Sequence, residues 1–174
     1  MAAKDALIES FLQEYPGAED AGRGHPALQG CEDVRWTDYI GCPAAAPVLL
    51  RALLDRTAGP EAERVLSGVL FNDITSMNAA MPAALPFLIR LAGDPYVPVR
   101  SDLLDLLVSA AEFSESVAGQ NEAWVMWFGS DEERPARARC RAVFAEHARV
   151  VGALAAEVGD PDRRASLRRA ARLG

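Results

Sequence analysis

Two stretches of this chain repeat one another at a fixed offset. "CPAAAPVLLRALLDR" begins at residue 42 and "MPAALPFLIRLAGDP" begins at residue 81. They align with Pro43 opposite Pro82 and with Pro47 opposite Pro86, an offset of 39 residues. A period between about 20 and 50 residues is typical of stacked supersecondary units. The repeat therefore favours an array of similar units over an irregular domain.

Apolar residues recur at helical spacing along most of the chain. This pattern predicts helices at 4–14, 44–56, 60–72, 78–92, 98–112 and 131–158. It also predicts a short helix within 31–41 that turns Val34, Trp36 and Ile40 inward. Strand signals are almost absent, and only "WVMWF" at 124–128 has the composition of a strand. The sequence therefore predicts an all-α fold.

Length and cysteine usage limit the class of protein. A chain of 174 residues needs only one domain. No apolar run approaches the ~18 residues that cross a bilayer, and the start of the chain lacks the pattern of a secretion signal. Cys31, Cys42 and Cys140 have no CxxC spacing, which is typical of reduced thiols. We therefore expect a cytoplasmic protein with no membrane partner.

Charge is unevenly distributed along the chain. The net charge is −7, yet residues 134–174 hold ten Arg against four acids, a local +6, which leaves −13 on the first 133 residues. Between Arg100 and Arg134 there are eight acids and no base. A field of one sign attracts partners of opposite charge and repels nucleic acid. The acidic part therefore favours a basic partner.

The repeat units resemble a known family. An early proline in a first helix, an Asp-Pro turn, a Val-Arg dipeptide that opens a second helix and a period near 40 resemble HEAT-type α-α repeats. The residues that match best are Pro82, Pro86, Asp94, Pro95, Val99 and Arg100; those that match partly are Pro43, Pro47, Asp55 and Arg64; and Asp160, Pro161 and Arg164 match the turn. The first unit has a longer turn without Asp-Pro.

The resemblance covers about residues 36–174, apart from an insertion at 113–130. It implies an all-α HEAT-like superhelix, a short solenoid of about three helical pairs behind an N-terminal capping helix. The repeat units would lie at about 43–74, 77–112 and 131–173 within a single domain of residues 1–174. Similar small bacterial proteins have either no assigned activity or a role as immunity proteins beside secreted toxins.

Residues that could carry catalysis do not form a known motif. His25, Cys31 and Cys42 have spacings that fit no zinc ribbon or finger, and a fourth ligand is missing nearby. His147 lies mid-helix, and the nucleotide, hydrolase and metalloprotease motifs are absent. We therefore expect no enzyme, no catalytic residue, no metal and no cofactor.

The acidic stretch supplies the candidate site. Asp102, Asp105, Ser109 and Glu112 recur at spacings of three, four and three, so they share one face of the predicted helix 98–112. The resemblance implies that this second helix of its unit lines the concave side. The candidate partner-binding residues are Asn72, Asp73, Asp102, Asp105, Ser109, Glu112, Glu115, Glu122, Trp124, Trp127, Asp131 and Glu132. Tryptophan surrounded by carboxylates is typical of an interface anchor and its polar rim, although it could equally fill the core between units.

These observations lead to one expected function and two alternatives. We expect a non-enzymatic binding module, an immunity protein that occludes a basic toxin through an acidic concave face. One alternative is a HEAT-type enzyme that processes nucleic acid, which would need a basic face instead. The other is a general interaction scaffold, which the sequence alone does not distinguish from an immunity protein.

Overall fold

The computed structural model describes residues 2–73, 76–117, 125–127 and 129–173. This part of the chain is mostly helical, as the sequence predicts. Its α-helices are α1 (Ala2–Glu14), α2 (Ala46–Ala52), α3 (Gly59–Leu70), α4 (Met81–Ala92), α5 (Arg100–Ser114), α6 (Pro135–Glu146), α7 (Ala148–Glu157) and α8 (Pro161–Ala170). Among the helices described, none has the length and apolar character that a membrane span requires.

Helix α4 lies at the centre of the packing. Its sequence, "MPAALPFLIRLA", is apolar around most of its circumference, and such a helix must be covered on several sides. Its neighbours are α5, α6, α7 and a 3-10 helix at Pro26–Leu28. Leu85, Leu88 and Ile89 are completely buried there. The hydrophobic core is therefore built around one helix.

The two prolines of α4 have different positions in the helix. Pro82 lies in the first turn, where its missing N–H has no intrahelical partner to lose. Pro86 lies inside the helix and removes one hydrogen bond. In the first repeat unit, the aligned Pro47 instead lies in the first turn of α2, which is only 7 residues long. In the alignment of the two stretches, α2 therefore begins four positions later than α4 does.

The segment before α2 differs from its predicted short helix. It forms two short 3-10 helices, Cys31–Asp33 and Trp36–Asp38, between Gly30 and Gly41, whose φ angles of 84° and 77° favour glycine. Trp36 is buried as predicted, and its Nε1 donates to the Cys31 carbonyl at 3.0 Å. The inward position predicted for Ile40 is wrong, because this side chain is 91% exposed.

The long helix predicted at 131–158 is divided in the structure. Ser130 and Glu133 form a reciprocal pair that is typical of a helix start, with Glu133 N donating to Ser130 Oγ at 3.2 Å and Ser130 N donating to Glu133 Oε2 at 2.9 Å. Helix α6 nevertheless begins only at Pro135, and His147, with φ −99° and ψ 21°, separates it from α7. A straight helix of this length would extend about 40 Å, whereas the bend lets both α6 and α7 pack on α4.

A small hairpin lies between α3 and α4, next to the gap that the sequence predicts between the helices 60–72 and 78–92. Strands β1 (Phe71–Asp73) and β2 (Ser76–Met77) pair antiparallel, with Phe71 opposite Met77. Phe71 also packs against Phe113 of α5, with ring centroids 5.5 Å apart. Residues 125–127, within the one stretch that has the composition of a strand, are helical, and residues 124 and 128 lie outside the described part.

Truncation of Leu88 to alanine tests the central position of α4. Leu88 is fully buried, so Leu88→Ala should lower the free energy of unfolding by about 2–5 kcal/mol in urea titrations. Leu7→Ala is the matched control, because Leu7 is 40% exposed and should lose less than about 1 kcal/mol. Equal losses at the two positions would contradict a core centred on α4.

Candidate functional site

A groove of about 280 Å³ runs between α3 and α5. We name it the acidic groove; it is lined by Glu63, Ser67, Phe71, Asp102, Asp105, Leu106 and Ser109. Helical spacing produces this lining, because Glu63 and Ser67 lie four residues apart on α3, and Asp102, Asp105 and Ser109 follow one another on α5. Three carboxylates from two adjacent helices therefore point into one groove.

Glu63 is partly buried in the groove, whereas Asp102 and Asp105 are exposed. Burial raises the pKa of the Glu63 side chain, and the negative charges of Asp102 and Asp105 raise it further. The Ser67 hydroxyl donates to Glu63 Oε1 at 2.7 Å and partly opposes that rise in the pKa. A bound cation would relieve the repulsion among the three carboxylates. The groove can therefore accept a guanidinium or an ammonium group.

The structure brings together three of the predicted residues and adds one that the sequence analysis missed. Asp102, Asp105 and Ser109 line the acidic groove, and Glu112 is exposed further along α5. Ser109 Oγ donates to the Asp105 carbonyl at 3.1 Å. Glu63 was not a candidate, although a signal existed: α3 follows the first of the two repeated stretches, as α5 follows the second.

The C-terminal helix neutralises part of the acidic surface. Arg163 Nη2 donates to Asp105 Oδ1 at 2.7 Å. Arg169 pairs in the same way with Glu115, at 2.5 Å between Nη2 and Oε1. Exposed pairs of this kind contribute only about 0–1 kcal/mol, so both can be exchanged for a partner's charges. The separation of charge along the sequence is thus partly cancelled in the fold.

Asp131 has an internal role in the described structure. Its carboxylate accepts from the Ser116 hydroxyl and from Val117 N at 3.4 Å, and it lies 3.3 Å from Arg141 Nη2 and 3.6 Å from Arg137 Nη1. Burial alone would raise the pKa of Asp131, but these hydrogen bonds and guanidinium groups lower it overall. Asp131 therefore ties the end of α5 to the start of α6.

Those of the remaining candidates that the structure describes do not line the acidic groove. Asn72 Oδ1 accepts from Lys4 Nζ at 3.1 Å, and Asp73 accepts from the Ser76 hydroxyl at 2.8 Å, so both support the hairpin. Glu132 is exposed, and Trp127 is 73% exposed. Glu122 and Trp124 lie outside the described residues.

The cysteine thiols are poorly suited to nucleophilic chemistry. All three are buried, and burial raises the pKa of Cys31 and of Cys42 to about 11 and that of Cys140 to about 12. A thiol with such a pKa stays protonated near neutral pH and is a weak nucleophile. Within the described ranges, no group of three or more His, Cys, Asp or Glu side chains is placed to hold a metal ion.

Both histidines have structural hydrogen-bond partners. His25 Nδ1 accepts from Ala27 N at 3.3 Å, so its Nε2 carries the proton that faces Asp94 Oδ2 at 3.4 Å. His147 Nδ1 lies 3.0 Å from the Val143 carbonyl at the bend between α6 and α7. Each ring therefore helps to shape a turn.

Comparison of the chain with protein-family models, with curated proteins and with solved structures finds no match.

Replacement of Glu63 by glutamine tests the electrostatics of the acidic groove. Because the folded pKa of Glu63 is raised above its unfolded value of 4.5, the native state binds the extra proton, and this contribution to stability is lost as pH rises through the folded pKa. Glu63→Gln should therefore be more stable than the wild type at pH 7, with a smaller difference at pH 4. Urea titration at both pH values measures this.

Glu61→Gln on the same helix is the control. A hydrogen bond from Arg64 lowers the pKa of Glu61, so its stabilising contribution is present above pH 4.5 and is lost as pH falls. This variant should gain no stability at pH 7. A Glu63→Gln variant that is no more stable than the wild type at pH 7 would contradict a cost of holding the Glu63 carboxylate, partly buried, near Asp102 and Asp105.

Proposed function

We propose that this protein acts by stoichiometric binding of a basic protein surface at the acidic groove. The observation that supports this most strongly is the convergence of Glu63, Asp102 and Asp105 on one groove. Among the described residues, neither Glu63 nor Asp102 has a basic side chain within ion-pair distance, and only Arg163 approaches Asp105. A partner that inserts a guanidinium or ammonium group would supply the missing countercharge.

The arrangement of the helices and the biological role of the protein can be inferred together. We infer that α2 with α3, and α4 with α5, are successive HEAT-like helical pairs, because each pair packs together and the pairs share the repeated sequence. In this arrangement α3 and α5 are the second helices, which line one side of the array. The resemblance to small HEAT-like proteins then favours an immunity protein that occludes a basic toxin over a general scaffold.

The same surface opposes the nucleic-acid alternative. A phosphate backbone would meet three carboxylates in the groove and Glu112 beside it, and its own charge would be repelled. The acidic surface would instead attract a basic protein over long distances and accelerate its association. We therefore propose a binding function with no catalytic step.

Charge reversal on α5 tests the proposal. The triple variant Asp102→Arg, Asp105→Arg and Glu112→Arg should weaken binding of an arginine-rich peptide at least tenfold, because the groove would then repel guanidinium groups. The control reverses three exposed acids outside the acidic groove, Glu9→Arg, Asp33→Arg and Glu146→Arg, and changes the net charge equally. Fluorescence anisotropy measures the affinity, and circular dichroism verifies folding.

If both triple variants lose affinity equally, binding depends on net charge alone and the groove is not the site. For the immunity role, the immobilised protein should retain, at low salt, a basic protein encoded by a neighbouring gene, and the α5 variant should not. If neither the wild type nor the α5 variant retains such a protein while the peptide still binds the wild type, the immunity role is contradicted. Binding of basic groups at the acidic groove would still be supported.

Removal of Arg163 should have the opposite effect. Arg163→Ala frees the Asp105 carboxylate from its intramolecular partner, so the arginine-rich peptide should bind about twofold to fivefold more tightly. Arg149→Ala removes the same charge from an exposed position on α7 and controls for net charge. An equal gain in the two variants would show that Arg163 does not compete with the partner.

A further inference from the structure

A second groove, with a volume of about 250 Å³, lies between the loop before α2, the hairpin, the end of α5 and the start of α6. We name it the basic groove. Its apolar lining includes Ile40, Met77 and Phe113, and its cationic lining consists of Arg134, Arg137 and Arg139. Glu133 also lines it, but the Glu133 carboxylate accepts a hydrogen bond from Ser130 N at 2.9 Å. The charge of this groove is therefore opposite to that of the acidic groove.

The three guanidinium groups of the basic groove differ in their partners. Arg137 is 5% exposed, donates to the Gly129 carbonyl at 3.0 Å and shares Asp131 with Arg141. Arg134 and Arg139 are exposed, and within the described part of the chain no carboxylate lies within ion-pair distance of either. Both cations thus lack an ion pair among the residues that the structure describes, and each can pair with a carboxylate of another molecule.

The apolar lining has room for one side chain. Ile40 is 91% exposed, so its side chain is accessible to another molecule at this groove. Phe113 is half-buried, and its ring packs against that of Phe71. The volume is below the ~300–1,000 Å³ typical of small-molecule pockets and fits one large apolar side chain of a partner.

We propose that the basic groove binds an acidic segment of a protein partner. One large apolar side chain of that segment packs on Ile40 and Phe113, and flanking carboxylates pair with Arg134 and Arg139. An apolar anchor surrounded by charged contacts is the usual composition of an interface centre and its rim. This assignment stands independently of the proposed function, because it uses different residues and a ligand of opposite charge.

The test uses a short fluorescein-labelled peptide in which Glu flanks a central Phe on both sides. Fluorescence anisotropy should show binding in the micromolar to millimolar range. Arg134→Glu combined with Arg139→Glu should weaken it at least tenfold, and Ile40→Ser should weaken it about threefold to tenfold. All three residues are exposed, so the variants should fold like the wild type, which circular dichroism verifies.

Matched controls separate this site from general effects. Arg56→Glu with Arg149→Glu makes the same change of charge at exposed positions outside the basic groove and should leave affinity within about twofold. Tyr96→Ser is the control for Ile40→Ser, since Tyr96 is also 91% exposed, and it should have no effect. A peptide with Lys in place of Glu should not bind at the basic groove. Its affinity for the wild type and for the basic-groove variants should therefore be the same.

Several results would overturn the assignment. Absence of binding at millimolar peptide, or affinity that is unchanged in the Arg134 and Arg139 variant, would exclude an acidic ligand here. Equal affinity for a peptide with Ser in place of Phe, or for a single-stranded oligonucleotide, would indicate a site for anions in general. A concentration-dependent dimer that Ile40→Ser abolishes would show that the groove is occupied by a second copy of the chain.

Discussion

Burial of α4 is the constraint on which the rest of the structure depends. This helix is apolar on most of its surface, so it can be stable in water only if other elements cover it. Helices α5, α6 and α7 and the 3-10 helix at Pro26–Leu28 provide that cover. The bend at His147 follows from the same requirement, because it allows two consecutive helices to contact α4. The core therefore dictates where the chain turns.

The same packing determines where the charges lie. Helix α5 is held between α4 and α8, and it buries Leu103 and Leu107. Because the polar residues of α5 recur at helical spacing on the remaining face, Asp102 and Asp105 are directed toward α3. Glu63 then meets them across the acidic groove. Hydrophobic burial thus positions three like charges that would otherwise remain apart, and the cost of their repulsion is offset by the core.

Local sequence signals predicted most of the helices but not the features that depend on tertiary contacts. Apolar periodicity located α3, α4 and α5 within three residues of their bounds. The hairpin was missed because three of its five strand residues are polar and because it is supported by a tertiary contact, the packing of Phe71 on Phe113 of α5. The outward position of Ile40 was missed because positive φ angles at Gly30 and Gly41 interrupt helical periodicity there.

The candidate site was predictable only where its residues lie on a single helix. Spacing along one helix placed Asp102, Asp105 and Ser109 on a shared face, and the structure places them in one groove. Glu63 comes from another helix, and the pairing of Asp105 with Arg163 joins residues 58 positions apart. Contacts at such separations follow from the packing of helices, which a single sequence does not encode as a local pattern.

The most direct test of the account is a map of amide chemical-shift changes during NMR titration with an arginine-rich peptide. If the acidic groove binds basic partners, the changes should concentrate on residues 63–71, at the end of α3 and the start of β1, and on residues 102–112 of α5. Residues of the basic groove should be unaffected, because their charge repels the peptide. Changes spread evenly over all exposed acidic residues, including those of α1, would contradict a defined site between α3 and α5.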